Sequence, residues 1–90
     1  MPLDPDQQDE LRFALRRYLA ARSTAAVGLD MIRHAMRLKG MKATDDEIEA
    51  ELLYWTQTAP PQVQVIYPEH SSAKNWQITN AGRLADQRND

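Results

Sequence analysis

The sequence contains no cysteine, only three glycines, a single phenylalanine and no apolar run approaching the length of a bilayer. Without cysteine there is no disulfide framework, no thiolate nucleophile and no Cys-containing zinc or iron–sulfur site, and the composition fits a reducing compartment, so a cytoplasmic protein is expected. Gly28, Gly40 and Gly82 stand far apart and cannot form a glycine-rich phosphate cradle. The longest apolar stretches, residues 25–29 and 52–55, fall far short of the ~20 residues that span a membrane. The opening residues carry Asp4, Asp6, Asp9 and Glu10, unlike the basic start of a secretory signal, and no signal peptide is expected. His34 and His70 are distant in sequence, and His34 follows Asp30 at the spacing of an ordinary pair on an exposed helical face. Neither a metal-ligand spacing nor an acid, base and nucleophile constellation is present. These absences point away from an enzyme, a metal, a cofactor and a membrane.

What is present suits one small globular domain. At 90 residues, 42% hydrophobic and 27% charged, the chain has the length and composition of a single unit over residues 1–90, with an arm at 1–5 and a tail at 88–90. Its net charge of −2 conceals a segregated pattern. Residues 11–42 hold Arg12, Arg16, Arg17, Arg22, Arg33, Arg37, Lys39 and Lys42 against Asp30 alone, a net of +7. Residues 43–56 hold Asp45, Asp46, Glu47, Glu49 and Glu51, a net of −5. The first of these segments generates a local positive potential that the chain-wide charge hides.

Apolar periodicity divides the chain into elements. Leu11, Ala14, Leu15, Tyr18 and Leu19 recur at three- and four-residue steps, predicting a helix over 6–22 with acids early and arginines late, as the helix dipole favours. Phe13 lies opposite that stripe, either under a terminal arm or as a contact point for self-association. Small and β-branched residues at 23–28 leave room for a turn and a very short strand at Thr24–Ala26. A second helix over 29–39 has a broad apolar arc of Leu29, Met31, Ile32, Ala35, Met36 and Leu38 opposite Asp30, Arg33, His34 and Arg37. Gly40 is placed to end it in the left-handed conformation. Thr44 followed by Glu47 forms a capping box and starts a third helix over 45–58, which buries Ile48, Leu52 and Trp55 before Pro60 and Pro61 stop it. The period then changes. Val63, Val65 and Tyr67, and later Trp76 and Ile78, alternate with polar residues, predicting a hairpin of strands 63–67 and 75–79. A helical turn over 80–87 is expected to bury Leu84. The expected core is Leu11, Leu15, Leu19, Ile32, Met36, Ile48, Leu52, Trp55, Trp76 and Ile78.

Helix, short strand, helix, tight turn, helix and hairpin, closed by WQITNAGRLADQ with its Trp76, Ile78, Thr79 and a turn-opening Gly82, resemble the winged helix-turn-helix family over nearly the whole chain. The resemblance implies an α+β fold, a three-helix winged helix-turn-helix with a C-terminal two-stranded β-hairpin wing. It further implies a small non-enzymatic regulator of transcription bound to duplex DNA, with residues 44–58 in the major groove and 67–75 as the wing.

The third helix departs from that pattern. Its exposed side should present Asp46, Glu49, Ala50, Leu53 and Tyr54, none of them basic, whereas DNA carries about one negative charge per 1.7 Å of axis. Capping and the helix dipole account for the acids at 45–47 whatever the function, but not for Glu49 and Glu51. Any DNA contact is therefore expected mainly at phosphates. Its candidates are the paired Arg12 and Arg16, the paired Arg33 and Arg37, and His70 and Lys74 beside the wing, with Tyr54 left to read a base. The alternative is a protein-interaction module or homodimer that uses Phe13, Glu49, Ala50, Leu53 and Tyr54. One continuous basic face favours nucleic acid, and scattered arginines favour the interaction module.

Overall fold

The computed structural model describes residues 3–23, 25–68 and 73–89. Among these, four helices pack against a three-stranded antiparallel sheet, making a small α+β domain. The elements are α1 (Pro5–Arg22), β1 (Val27–Gly28), α2 (Leu29–Leu38), α3 (Asp45–Thr56), β2 (Val63–Ile66), β3 (Asn75–Ile78) and α4 (Asn80–Arg88). Local chemistry sets the helix ends. Asp4 caps α1 through a reciprocal box with Gln7, and Thr44 caps α3 through the expected box with Glu47. Gly40, at φ +81°, follows the end of α2, where the amides of Gly40 and Met41 donate to the carbonyls of Arg37 and Met36. α3 ends at Thr56 rather than 58, because the next residues fold back on it. The Gln62 amide donates to Trp55 O at 2.9 Å and to the Thr58 hydroxyl at 3.1 Å.

The short strand lies at Val27–Gly28 and not at the expected Thr24–Ala26, of which Thr24 falls outside the described residues. Pairing decides its position. Val27 opposes Trp76 and Gly28 opposes Asn75, so β1 joins β3 and the sheet order becomes β1-β3-β2 rather than an isolated hairpin. The other edge of β3 pairs with β2, Val63 opposite Ile78 and Val65 opposite Trp76. Tyr67 lies beyond β2 and is exposed, and residues 69–72 of the expected wing lie outside the described residues.

Every residue of the expected core is buried, joined by Val27, Ala43 and Val63. Burial of each large side chain contributes roughly 1.5–3 kcal/mol. Leu84 is an exception to expectation, being exposed. Gly82 and Asp86 occupy the inward face of α4, and Leu84, two residues from each, points about 200° away from Gly82. Gly82 opens no turn. It sits in the first turn of α4, its amide donating to Thr79 Oγ1 at 3.1 Å, where any side chain would run into the Gln62 backbone carbonyl. Leu3 packs against the core, and α4 extends to Arg88.

Candidate functional site

The arginines assigned to phosphate divide by what surrounds them. Arg12, on α1, faces α3. Its Nε donates to Glu51 Oε1 at 2.7 Å, and its guanidinium lies 3.8 Å from the centre of the Tyr54 ring. Glu51 and Tyr54 stand three residues apart on α3 and so present a carboxylate and a ring face to the same cation. This contact explains Glu51, which is buried at 8% exposure and belongs to the fold's interior rather than to a DNA-facing surface.

Arg16 is buried at 1% exposure and cannot reach a phosphate, contrary to its assignment. Its guanidinium lies 4.8 Å from the Trp55 ring and 5.1 Å from Phe13, and Nη1 donates to Gln62 Oε1 at 2.9 Å. Asp86 of α4 approaches Nε at 3.5 Å, an ion pair without hydrogen-bond geometry, and also holds Nε of the exposed Arg17 at 3.3 Å. The sequence did hold a signal for this. Arg16 follows Leu15 and precedes Leu19, on the shoulder of the α1 stripe, where a neighbouring helix covers whatever residue is present.

Arg33 and Arg37 share the cleft between α2 and the start of α3. Arg33 Nη1 donates to both carboxylate oxygens of Asp45, at 3.0 and 2.8 Å, and Nη2 donates to Asp30 at 2.9 Å. The hydrogen bond to Asp45, with that carboxylate's charge, holds the Arg33 proton more tightly than usual. Arg37 is exposed and has no ion-pair partner among the described residues. Lys74 is exposed too, its ammonium 5.9 Å from the Trp76 ring. His70 lies outside the described residues. The basic segment thus forms no single continuous face, because carboxylates from α3, α4 and α2 itself are inserted among its cations.

The aromatic residues of α1 and α3 assemble into one cluster. Trp55 is buried and donates its indole N–H to Arg12 O at 2.8 Å, which anchors α3 on α1. Phe13 packs edge-on to it with ring centres 5.6 Å apart, and Tyr54 does so at 5.0 Å. Phe13 is therefore a rim residue of the α1–α3 seam, not one covered by the terminal arm. It remains 44% exposed, Tyr54 43% and Leu53 50%. Ala50, one turn before Tyr54, is exposed as well. Glu49 is half-buried and lines a cleft with the start of α2 and residues 73–75, Lys74 among them. Phe13 and Tyr54 thus form an exposed apolar rim against Trp55, while Ala50 and Leu53 are exposed further round α3, on the side of Asp46.

No protein-family model, curated protein or solved structure matches this chain.

Proposed function

We propose that this chain is a non-catalytic winged-helix domain that binds a protein partner through the outer face of α3 and the adjoining Phe13. A contrast between its cations and its aromatic side chains carries the reading. Arg12, Arg16 and Arg33 are matched to carboxylates within the fold, while Phe13 and Tyr54 stand exposed against the buried Trp55 and Leu53 is exposed on the outer face of α3. The element order and the pairing of β1 with β3 support the winged-helix assignment. Aromatic side chains seated on a fixed base make effective binding anchors, since little side-chain freedom is lost when they are covered. Asp46 and Glu49 select a partner segment with an apolar anchor flanked by lysine or arginine.

A random-peptide selection against the purified domain tests this. Enriched peptides should carry that apolar-basic pattern, lose binding with Leu53→Ala and Tyr54→Ala, and keep it with Arg37→Ala. Enriched peptides that ignore both α3 substitutions would refute the assignment.

A second reading is favoured by Arg37, Lys39 and Lys42, all exposed around the turn at Gly40. These cations would hold duplex phosphates, with weak, nearly sequence-blind binding whose log K falls by about 0.9 per contact against log salt. Titration with random duplex at two salt concentrations separates the readings. Binding that flattens by about one unit of slope with Arg37→Ala favours DNA.

A further inference from the structure

Arg12 carries hydrogen-bond donors that the fold does not use. Its Nε donates to Glu51 Oε1 at 2.7 Å and its guanidinium carbon lies 3.8 Å from the centre of the Tyr54 ring, so the group is held by two neighbours. Nη1 and Nη2 have no hydrogen-bond partner among the described residues, and both reach solvent from a side chain that is 25% exposed. The backbone beneath is fixed as well, since Arg12 O accepts the Trp55 indole N–H at 2.8 Å. These donors stand at the exposed aromatic rim: Tyr54 lies under the guanidinium, Phe13 follows Arg12 along α1, and each packs edge-on to Trp55.

On the basis of the protein-partner reading above, we infer that Arg12 is the polar recognition group of this surface. It donates from Nη1 and Nη2 to a main-chain carbonyl of a partner segment bound in extended conformation. A guanidinium already oriented by a carboxylate and a ring loses little freedom when a third group docks on it, and its planar fork presents donors in a fixed geometry.

Charge selects the carbonyl over a carboxylate. Glu51 already balances the charge of Arg12, and a second carboxylate on the same guanidinium would stand within a few ångströms of Glu51 and be repelled by it. A neutral carbonyl meets no such repulsion and still gains a charge-assisted hydrogen bond. The free carbonyl in turn selects the conformation of the segment. Carbonyls inside a helix accept from their own amides four residues on, so a helical partner offers none outside its last turn. An extended segment turns its carbonyls outward and sends alternate side chains to one surface. One residue can then cover Tyr54 and Phe13 with its apolar side chain while a neighbouring carbonyl meets Arg12.

The test uses a synthetic copy of an apolar-basic peptide enriched in the selection above. Arg12→Ala alone would strand the Glu51 carboxylate, whose side chain is 11% exposed, so Arg12→Ala is combined with Glu51→Leu to remove the pair together. The double variant should unfold near the parent's urea midpoint yet bind the peptide roughly tenfold more weakly. Replacing the peptide's amides one at a time by esters weakens one carbonyl acceptor per position. On the parent, one position beside the apolar anchor should cost about fivefold in affinity. On the double variant the same ester should cost nothing, a coupling that a merely structural Arg12 would not produce. Two measurements on the parent need no variant. The Arg12 Nη–H signals, averaged by exchange with water in the free protein, should resolve in NMR spectra of the complex, and circular dichroism should show no gain of helix on binding. Binding that needs Tyr54 but is undiminished in the double variant, an ester series without a coupled position, or a gain of helix would overturn the proposal and leave the α3 reading standing. Binding lost when only the peptide's carboxylates are neutralised would give Arg12 a carboxylate and overturn it as well. Peptides indifferent to Tyr54→Ala and to the double variant alike would overturn both.

Discussion

Arg16→Ala should behave as a stability variant and not as a binding variant. The side chain it deletes is only 2% exposed, lies over Trp55, and donates to Gln62. A charge-assisted hydrogen bond contributes about 1.5–3 kcal/mol, and a desolvated cation–ring contact about 2 kcal/mol. Breaking a buried ion pair by removing one member costs roughly 3–5 kcal/mol because the other charge is left uncompensated. Here Asp86 keeps Arg17 at 3.3 Å, so the loss should lie at the lower end, about 3 kcal/mol. For a domain of this size that lowers Tm by roughly 12–24 °C. Arg16→Lys should recover only part, since an ammonium keeps the charge but not the planar stack on Trp55 or the fork to Gln62. Urea unfolding followed by tryptophan fluorescence measures both, and Trp55 reports from within the site itself. A midpoint for Arg16→Ala equal to that of the parent would show that the buried cluster does not hold α1, α3 and α4 together, and the inward placement of Arg16 would lose its meaning.

Gly82→Ala should destabilise the domain by about 1–3 kcal/mol, since overpacking against the Gln62 carbonyl outweighs the ~1 kcal/mol that alanine ordinarily gains over glycine in a helix; a raised thermal midpoint would contradict the tight approach of α4 to the chain entering β2. Glu47 has its carboxyl held below its usual range by the hydrogen bond from the Thr44 backbone amide, so its contribution is complete above the ordinary value of 4.5 and is lost as pH falls through the lower folded value. The urea midpoint of the parent minus that of Glu47→Gln should therefore shrink below pH 4.5, and a difference that grows on acidification would reverse the sign. Leu52→Ala, at a fully buried position, should cost roughly 2–5 kcal/mol; superimposable melting curves would remove Leu52 from the core.

What the sequence determined by itself is what neighbours along the chain decide. The steps from Leu11 to Leu15 to Leu19, the box of Thr44 and Glu47, the left-handed Gly40 and the change of period after Pro61 are interactions within a few residues, and the helices and the hairpin formed where those patterns lie. The buried stripe of each of the first three helices was legible for the same reason, because an amphipathic helix has one face that water rejects. Side-chain charge carried no comparable local information. Arg12 meets Glu51 39 residues away, and Arg16 meets Gln62 46 residues away. Which carboxylate finds which arginine depends on how α3 and α4 dock against α1, and no periodicity encodes that docking. The position of β1 was likewise set by its distant partners Trp76 and Asn75, since two residues of extended chain have no strand preference of their own to compete with a ladder. Tertiary packing therefore turned much of a cationic segment into internal pairs and left Phe13 and Tyr54 exposed against Trp55, Leu53 exposed on the outer side of α3, and Met31 and Leu38 exposed on α2. The physical reason is range. Helix periodicity and capping act over one or two turns, whereas a charge is neutralised by whichever opposite charge the fold brings within a few ångströms.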